Sequence, residues 1–190
     1  MGNDLEVNKA DLRKSVKKEL ALISNEELMH LSSLLSKNLA SFLRSSRFTT
    51  NTLGGFFPIQ KEPHWFLSIL TQYKFCFPAY VNGKMKFYES KIEDLKEKLD
   101  FNFPTFVPDT DGTEIIPELM VIPGLLFTKQ GERLGRGKGF FDRYLENYEG
   151  IKIAVGFDLQ IADQLPTEKH DIIMDYIITE KEIVHVKGVL

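Results

Sequence analysis

Between Lys129 and Arg143 five basic side chains (Lys129, Arg133, Arg136, Lys138, Arg143) stand against two acids, Glu132 and Asp142. Four glycines, Gly131, Gly135, Gly137 and Gly139, run through the same stretch. The local charge is +3 in a chain whose net charge is −3. A basic island in an acidic protein points to a specific anionic ligand rather than to diffuse attraction to polyanions. Glycine lets the backbone approach a ligand closely and take positive φ. Free N–H groups entering a helix N-terminus complete an anion site, and Asp142 at its edge could hold a metal ion that bridges phosphate oxygens. The competing reading is a solvated basic turn whose glycines serve geometry alone. Two familiar phosphate patterns fail on spacing. For a P-loop, Lys138 is followed by Gly139 rather than Ser or Thr, and Glu132 stands where the first glycine belongs. For a dinucleotide fingerprint the third glycine would fall at Phe140.

Two apolar runs and a helical pattern must position this loop. Leu119-Met120-Val121-Ile122 has the length and β-branched content of a buried strand, closed by Pro123. Leu125-Leu126-Phe127 is a second apolar patch, and from Phe140 the pattern becomes helical and runs to Tyr148, before Gly150. The order is strand, glycine loop, helix.

The whole stretch, PGLLFTKQGERLGRGKGFFDRYL from Pro123, resembles the signature of the 5-formyltetrahydrofolate cyclo-ligase (5,10-methenyltetrahydrofolate synthetase) family, P-G-x-x-F-D-x-x-G-x-R-L-G-x-G-x-G-Y-Y-D. It departs from that signature at Thr128, where Asp is usual, and at Phe140-Phe141, where the family has a Tyr pair. Phenylalanine still stacks on a flat ring but donates no hydroxyl hydrogen bond. The resemblance extends along nearly the whole chain. Lys9-Ala10-Asp11-Leu12-Arg13 matches the family's N-terminal K-x-x-L-R, whose bases contact ATP. Their spacing puts Lys9 and Arg13 one helical turn apart on one face; without the resemblance they would read as part of a solvated basic helix face.

The resemblance implies an ATP site at Lys9, Arg13, Arg133, Leu134, Gly135, Arg136, Gly137, Lys138, Gly139, Phe140 and Phe141. It implies a folate site at Phe57, Glu62, Arg136, Phe140 and Phe141, with Glu62 on the pterin edge, Phe57 along the ring and the Phe pair flanking it. Arg136 and Lys138 are the expected catalytic pair at the transferring phosphate, and Asp142 and Asp171 the expected magnesium carboxylates. Unaided, Glu62 reads rather as a negative charge at a helix start before Pro63, and Asp171 equally as a turn cap. His170 reads as a structural hydrogen-bonding group or as one that orients a carboxylate, and Thr179-Glu180 completes a second family motif. Two further positions depart from the family: Ala79 replaces an Arg, and the proline motif is half kept as Phe103-Pro104-Thr105-Phe106.

The remaining chain supplies scaffold. Leu5, Leu12, Val16 and Leu20 mark a helix over 4–22. Ser24-Asn25-Glu26-Glu27 is a capping box for a second helix to about Arg44, with Leu28, Leu31, Leu34, Leu35, Leu39 and Phe42 facing the core. A strand is expected over 52–57, with Gly54 and Gly55 marking a bulge or a close approach. A helix is expected from Glu62 to about Tyr73, strands at 75–80 and 85–88 joined across Asn82-Gly83, and a short helix at 91–99. An irregular connection fills 100–118. A strand at 151–157, a short helix at 158–163 and a last core strand at 175–179 complete the pattern.

Strands alternating with helices give an α/β class, and the resemblance implies a single three-layer α/β/α domain over 1–190 with a mixed, largely parallel sheet. The length suits one domain with a sizeable core. A pI near 5.9 argues against a general nucleic-acid binder. The one cysteine, Cys76, lies in an apolar run and reads as a buried inert thiol in a reducing compartment. The N-terminus has no apolar signal core, position 6 is Glu rather than Ser or Thr, and no run approaches a membrane span, so a cytoplasmic location and no membrane partner are expected; a monomer is the expected state. The reaction implied by the resemblance is ATP- and Mg²⁺-dependent closure of 5-formyltetrahydrofolate to 5,10-methenyltetrahydrofolate. A folate-binding relative without turnover, or another ATP- or phosphate-using enzyme on the same scaffold, are the alternatives.

Overall fold

In the computed structural model, residues 8–46, 48–69, 73–100, 103–166, 168 and 171–186 are described. The elements run α1 (Lys9–Leu22), α2 (Asn25–Ser45), β1 (Thr52–Gly54), β2 (Lys74–Val81), β3 (Lys84–Glu89), β4 (Lys96–Asp100) and β5 (Phe103–Val107). They continue as β6 (Leu119–Pro123), β7 (Leu126–Phe127), β8 (Arg133–Leu134), α3 (Phe140–Leu145), β9 (Ile151–Val155), β10 (Tyr176–Ile178) and β11 (Ile183–His185).

Seven strands form one sheet in the order β11-β10-β9-β6-β1-β2-β3, with β6 in the middle. The five inner strands are parallel to their inner neighbours, and β3 and β11 close the edges antiparallel. This is the mixed, largely parallel sheet that the sequence leads one to expect. Side chains of a strand alternate between faces, and the central strands sort accordingly. Leu119, Val121, Ile153, Val155 and Ile178 pack with Val16 and Leu20 of α1 and Leu35, Leu39 and Phe42 of α2. Met120, Ile122, Ala154 and Ile177 turn the other way, toward Leu145 of α3 and Tyr148. Helices therefore cover both faces. Leu35 and Leu39 have no exposed surface, and burial of each contributes about 2 kcal/mol.

The cap of α2 is the one expected from the sequence, whereas α1, expected from residue 4, begins at Lys9. Asn8 accepts from the Ala10 and Asp11 N–H groups at the start of α1, and Ser24 Oγ accepts from Glu27 N at 3.1 Å at the start of α2. Leu5 lies outside the described residues, and Leu34 is more exposed than its place in the stripe implies. The β2–β3 hairpin turns on Asn82 (φ 50°) and Gly83 (φ 80°), the paired left-handed conformation expected of an Asn-Gly turn. Cys76 is buried, and burial pushes its thiol up to about 12.

Several elements differ from the sequence expectation. No helix forms among the described residues of 62–69. That segment is a series of turns whose backbone is captured by α2: His64 N donates to Ser32 Oγ at 3.1 Å and Ser68 N to Ser36 Oγ at 2.6 Å. The helix expected at 91–99 is a single 3-10 turn at Ile92–Asp94 followed by β4, and the connection expected to be irregular contains β5, which pairs antiparallel with β4. The 52–57 strand stops at Gly54, α3 stops at Leu145, and the helix at 158–163 is a 3-10 turn over Asp158–Gln160. Edge strand β11 had no expected counterpart. It pairs with β10 after a turn in which Thr179 Oγ1 accepts from Lys181 N and Glu182 N.

The topology also fixes where a site belongs. From β1 the chain moves outward through β2 and β3, and from β6 it moves the opposite way through β9 and β10. The carboxyl ends of β1 and β6 thus flank the point where the winding reverses, and open α/β sheets bind ligands in the crevice formed there.

Candidate active site

At that point lies a cavity of about 330 Å³. The loop after β1 contributes Phe56, Phe57, Ile59, Gln60 and Glu62; β2 contributes Pro78, Ala79 and Tyr80; the β4–β5 ribbon contributes Thr105 and Phe106. The segment after β6 contributes Arg133, Gly135, Arg136, Lys138 and Gly139, and α3 adds Phe140, Phe141 and Asp142. Ten of the residues singled out from the sequence therefore meet in one wall-to-wall arrangement: Phe57, Glu62, Arg133, Gly135, Arg136, Lys138, Gly139, Phe140, Phe141 and Asp142.

The glycine segment begins with a small ribbon. Strands β7 and β8 pair antiparallel across Thr128–Glu132. Thr128, which stands where the family signature has Asp, is fully buried in this turn; its N–H donates to Glu132 O at 3.1 Å and its hydroxyl donates to Glu132 Oε2 at 2.8 Å. The departure is thus absorbed by a turn away from the cavity. Gly131 (φ 93°) fits there because an added Cβ would lie 2.8 Å from Met174 O. Leu134 is buried in the core and its carbonyl accepts from Leu125 N at 2.8 Å; its side chain faces the core.

Arg133 emerges from this ribbon with its side chain 5% exposed. One guanidinium nitrogen donates to Pro123 O at 3.0 Å and another pairs with Asp142. Burial lowers the Arg133 pKa from its ordinary value, while the charges of Asp142 and Asp171 oppose the shift; an arginine so held remains cationic. Gly137 (φ 93°) and Gly139 (φ 67°, the residue preceding α3) then carry the chain through two left-handed positions. This is the conformation that favours glycine.

Arg136 crosses the cavity. Its Nε donates to Glu62 Oε1 at 2.7 Å and its Nη1 to Gln60 Oε1 at 2.6 Å. Glu62 is buried, and its second oxygen accepts from Ile59 N at 3.0 Å. Burial raises the Glu62 pKa above its ordinary 4.5, against the lowering influence of the Arg136 charge. Behind this loop Trp65 is fully buried and donates from Nε1 to Phe56 O at 2.8 Å. An added Cβ on Gly55 would come within 2.2 Å of the Trp65 ring. The glycine pair after β1 therefore marks a close approach.

Two aromatic pairs line the space. Phe57 and Phe106 have ring centroids 4.4 Å apart, and Phe140 stands 5.0 Å from Tyr80 with the Arg143 guanidinium 5.5 Å from its ring. The half-kept proline motif thus still delivers an aromatic ring, Phe106, to the wall. Ala79 is buried and also lines the cavity, where the family's Arg would be.

Lys9 and Arg13 approach from α1 without lining the cavity. Arg13 Nε donates to Gly135 O at 2.9 Å, and an added Cβ on Gly137 would lie 3.4 Å from Arg13 Nε. Lys9 Nζ donates to Asp171 at 3.0 Å and lies 3.5 Å from Glu168. Asp171 also caps its own turn, accepting from Glu168 N at 2.8 Å. His170 lies outside the described residues. Among the described residues no three His, Cys, Asp or Glu side chains form a ready-made metal cluster.

Sequence reasoning left out Gln60, Tyr80 and Lys17, all of which line the cavity. Gln60 has φ 55°, a conformation that sequence alone does not reveal. Tyr80 is an exposed aromatic near the end of β2, just after Pro78-Ala79, and that placement was the available signal.

Comparison with known proteins agrees with the geometry. Residues 6–180 match the model of the 5-formyltetrahydrofolate cyclo-ligase family. The chain is 31% identical over 183 residues to the 5-formyltetrahydrofolate cyclo-ligase of Mycoplasma genitalium, covering 90% of this chain and 98% of that one. It is 27% identical over 197 residues to the mouse (Mus musculus) enzyme of the same name, covering 90% and 93%. The solved structure of Aquifex aeolicus 5,10-methenyltetrahydrofolate synthetase superposes with a TM-score of 0.81 at 26% identity, covering 96% of this chain and 94% of that one. With the glycine-rich signature, the switch-point cavity and a family match spanning almost its full length, this chain belongs to the 5-formyltetrahydrofolate cyclo-ligase family.

Proposed function

We propose that the protein closes 5-formyltetrahydrofolate to 5,10-methenyltetrahydrofolate, consuming ATP and releasing ADP and phosphate. The observation that carries this reading is Arg136, a residue of the glycine segment whose guanidinium is seated on the β1 loop by Glu62 and Gln60. A nucleotide phosphate at one loop and a pterin at the other would meet beside it.

The chemistry explains why both must meet there. A formamide carbon is a poor electrophile, and its oxygen is a poor leaving group. Transfer of the γ-phosphoryl to that oxygen activates it. The neighbouring folate nitrogen then attacks the formyl carbon, the ring closes and phosphate leaves with the oxygen. Phosphoryl transfer needs positioning and charge stabilisation rather than a protein nucleophile. Arg136 and Lys138 take that role at the transferring group. Arg133, Lys9 and Arg13 hold the rest of the phosphate chain, with the backbone of Leu134, Gly135, Gly137 and Gly139 alongside. Glu62 accepts from the pterin edge, and Phe57, Phe140 and Phe141 flank the rings.

Magnesium belongs to the same reading: Asp142 at the cavity rim and Asp171 are the carboxylates that would hold it, and Mg²⁺ typically takes one or two carboxylates and completes its shell with phosphate oxygens and water. When bound, it would neutralise charge on the transferring phosphate. Asp142 is more than half exposed at the cavity rim, open to an ion arriving on the nucleotide. A cytoplasmic location is part of the same reading; among the described residues no helix is long and apolar enough to cross a membrane.

The test is to mix the protein with 5-formyltetrahydrofolate and MgATP and follow the methenyltetrahydrofolate chromophore. ATP-dependent appearance is expected. Tight folate binding without a chromophore would indicate a relative without turnover, and neither signal would remove the folate assignment.

A further inference from the structure

We infer that Gln60 is a positioning residue that keeps Arg136 in the cavity once substrate shares Glu62. The inference rests on the proposed folate and ATP reading. It starts from a backbone observation. Gln60 holds φ 55°, one of two non-glycine residues among those described with positive φ; the other, Asn82, sits in a hairpin turn that calls for it. Gln60 is the second residue of a turn closed by Glu62 N to Ile59 O at 3.1 Å, a place where positive φ favours Gly, Asn or Asp over a long side chain. A long side chain in that region is strained, and strain of this kind persists where surrounding contacts over-determine it.

The contacts here are those of Arg136. Its Nη1 lies 2.6 Å from Gln60 Oε1, its Nε lies 2.7 Å from Glu62 Oε1, and Nη2 is 3.5 Å from Ile59 O. Three acceptors within one four-residue loop grip one guanidinium. The loop is braced internally by Ile59 N to Glu62 Oε2 at 3.0 Å and by Glu62 N to Ile59 O at 3.1 Å.

Glu62 cannot serve Arg136 and a pterin edge equally. A carboxylate offers about four lone-pair sites, and two parallel N–H bonds from an aminopyrimidine beside the one from Ile59 N leave a single site for Arg136. Arg136 then shares its charged partner with the substrate in the folate complex, at the stage when its guanidinium is needed beside the transferring phosphate. Gln60 is neutral and does not compete for the pterin as a carboxylate would. It retains the Nη1 contact and leaves the cation's charge available. A misplacement of about 1 Å at such a group lowers rates up to a hundredfold.

The test uses two variants. Gln60→Gly deletes the acceptor and relieves the positive φ, so reduced activity cannot be ascribed to added backbone strain. Gln60→Asn keeps a neutral amide acceptor and tolerates the left-handed backbone. The expected result is a roughly tenfold fall in kcat for Gln60→Gly, with nucleotide affinity of the folate-free protein unchanged because Glu62 still holds Arg136. Gln60→Asn should recover part of the rate. Unchanged kcat in Gln60→Gly overturns the inference. So does nucleotide affinity that falls as far without folate as with it, since that would mean Gln60 shapes the loop generally. An unmodified protein that forms no methenyltetrahydrofolate removes the functional reading itself, and the role of Gln60 with it.

Discussion

The two loops that meet in the cavity are built in opposite ways. The segment after β6 is local: its glycines, basic residues and short ribbon are close in sequence, and Gly137 and Gly139 take their left-handed conformations within it. The segment after β1 is held from outside. Its backbone N–H groups are captured by Ser32 and Ser36 of α2, and Trp65 anchors it from behind. Arg136 joins them. The difference teaches that one half of the site is specified by composition and the other by packing, and that each half should fail in its own way.

The largest effect should come from cutting the join. Arg136→Ala is expected to lower kcat/KM about a thousandfold. It also leaves Glu62 buried without its counter-charge, at a cost of about 3 kcal/mol near neutral pH. The pH dependence has a definite sign. The Glu62 pKa is already raised above 4.5 by burial, and loss of the Arg136 charge raises it further. A carboxyl raised in the folded state favours folding below its unfolded value, and that contribution is lost as pH rises through the raised value. The difference in melting temperature between the variant and the unmodified protein should therefore be smallest near pH 4.5 and widen toward neutrality. A difference independent of pH would mean that Glu62 does not sense Arg136.

Next in size is a pair of glycine substitutions that sets the loops against each other. In Gly55→Ala the new Cβ would lie 2.2 Å from the Trp65 ring, which is rigid and fully buried; overpacking of this kind costs about 2 kcal/mol. In Gly139→Ala the nearest atom, Arg143 Nη1 at 2.8 Å, belongs to the end of a flexible side chain. The cost there is the left-handed backbone, about 1 kcal/mol. Thermal unfolding should thus rank Gly55→Ala as the less stable variant, while nucleotide affinity should rank Gly139→Ala as the weaker binder. The reverse ranking would break the distinction between a packed half and a phosphate-facing half.

The same distinction explains what could be read from the sequence. The glycine segment was legible because residue types and spacing carry its chemistry, and β6 was legible because a buried parallel strand is continuously apolar. The caps at Ser24 and the Asn82-Gly83 turn were legible because they rest on local hydrogen bonds and φ preferences. The stretch after Glu62 was not. Its apolar spacing from Trp65 to Ile69 looks helical, yet the serine hydroxyls that take its N–H groups lie about thirty residues away in α2. Likewise β4 and β5 read as helix and loop because Lys96-Glu97-Lys98 has little strand character, and pairing with β5 decides their conformation. The positive φ of Gln60 has no sequence signature at all. Ser36→Ala tests this directly: Ser68 N loses its 2.6 Å acceptor, and stability should fall by about 1 kcal/mol with kcat unchanged. Equal stability would show that the loop after β1 holds itself.

The smallest effect on stability concerns α1, which reaches the glycine segment through Arg13 and the 168–171 turn through Lys9. The side chains of Lys9 and Asp171 are each about a quarter exposed, so their ion pair should contribute no more than about 0.5 kcal/mol. Lys9→Ala and Asp171→Asn should both melt close to the unmodified protein. Their ligand effects should separate. If Lys9 holds phosphate and Asp171 helps hold magnesium, Lys9→Ala weakens nucleotide binding with and without Mg²⁺, whereas Asp171→Asn weakens it only when Mg²⁺ is present. If Asp171 serves solely to tether Lys9, the two variants share one Mg²⁺ profile and the double variant adds nothing to either. Nucleotide titrations across a range of Mg²⁺ concentrations distinguish these outcomes, because the first predicts independent losses and the second a single shared one.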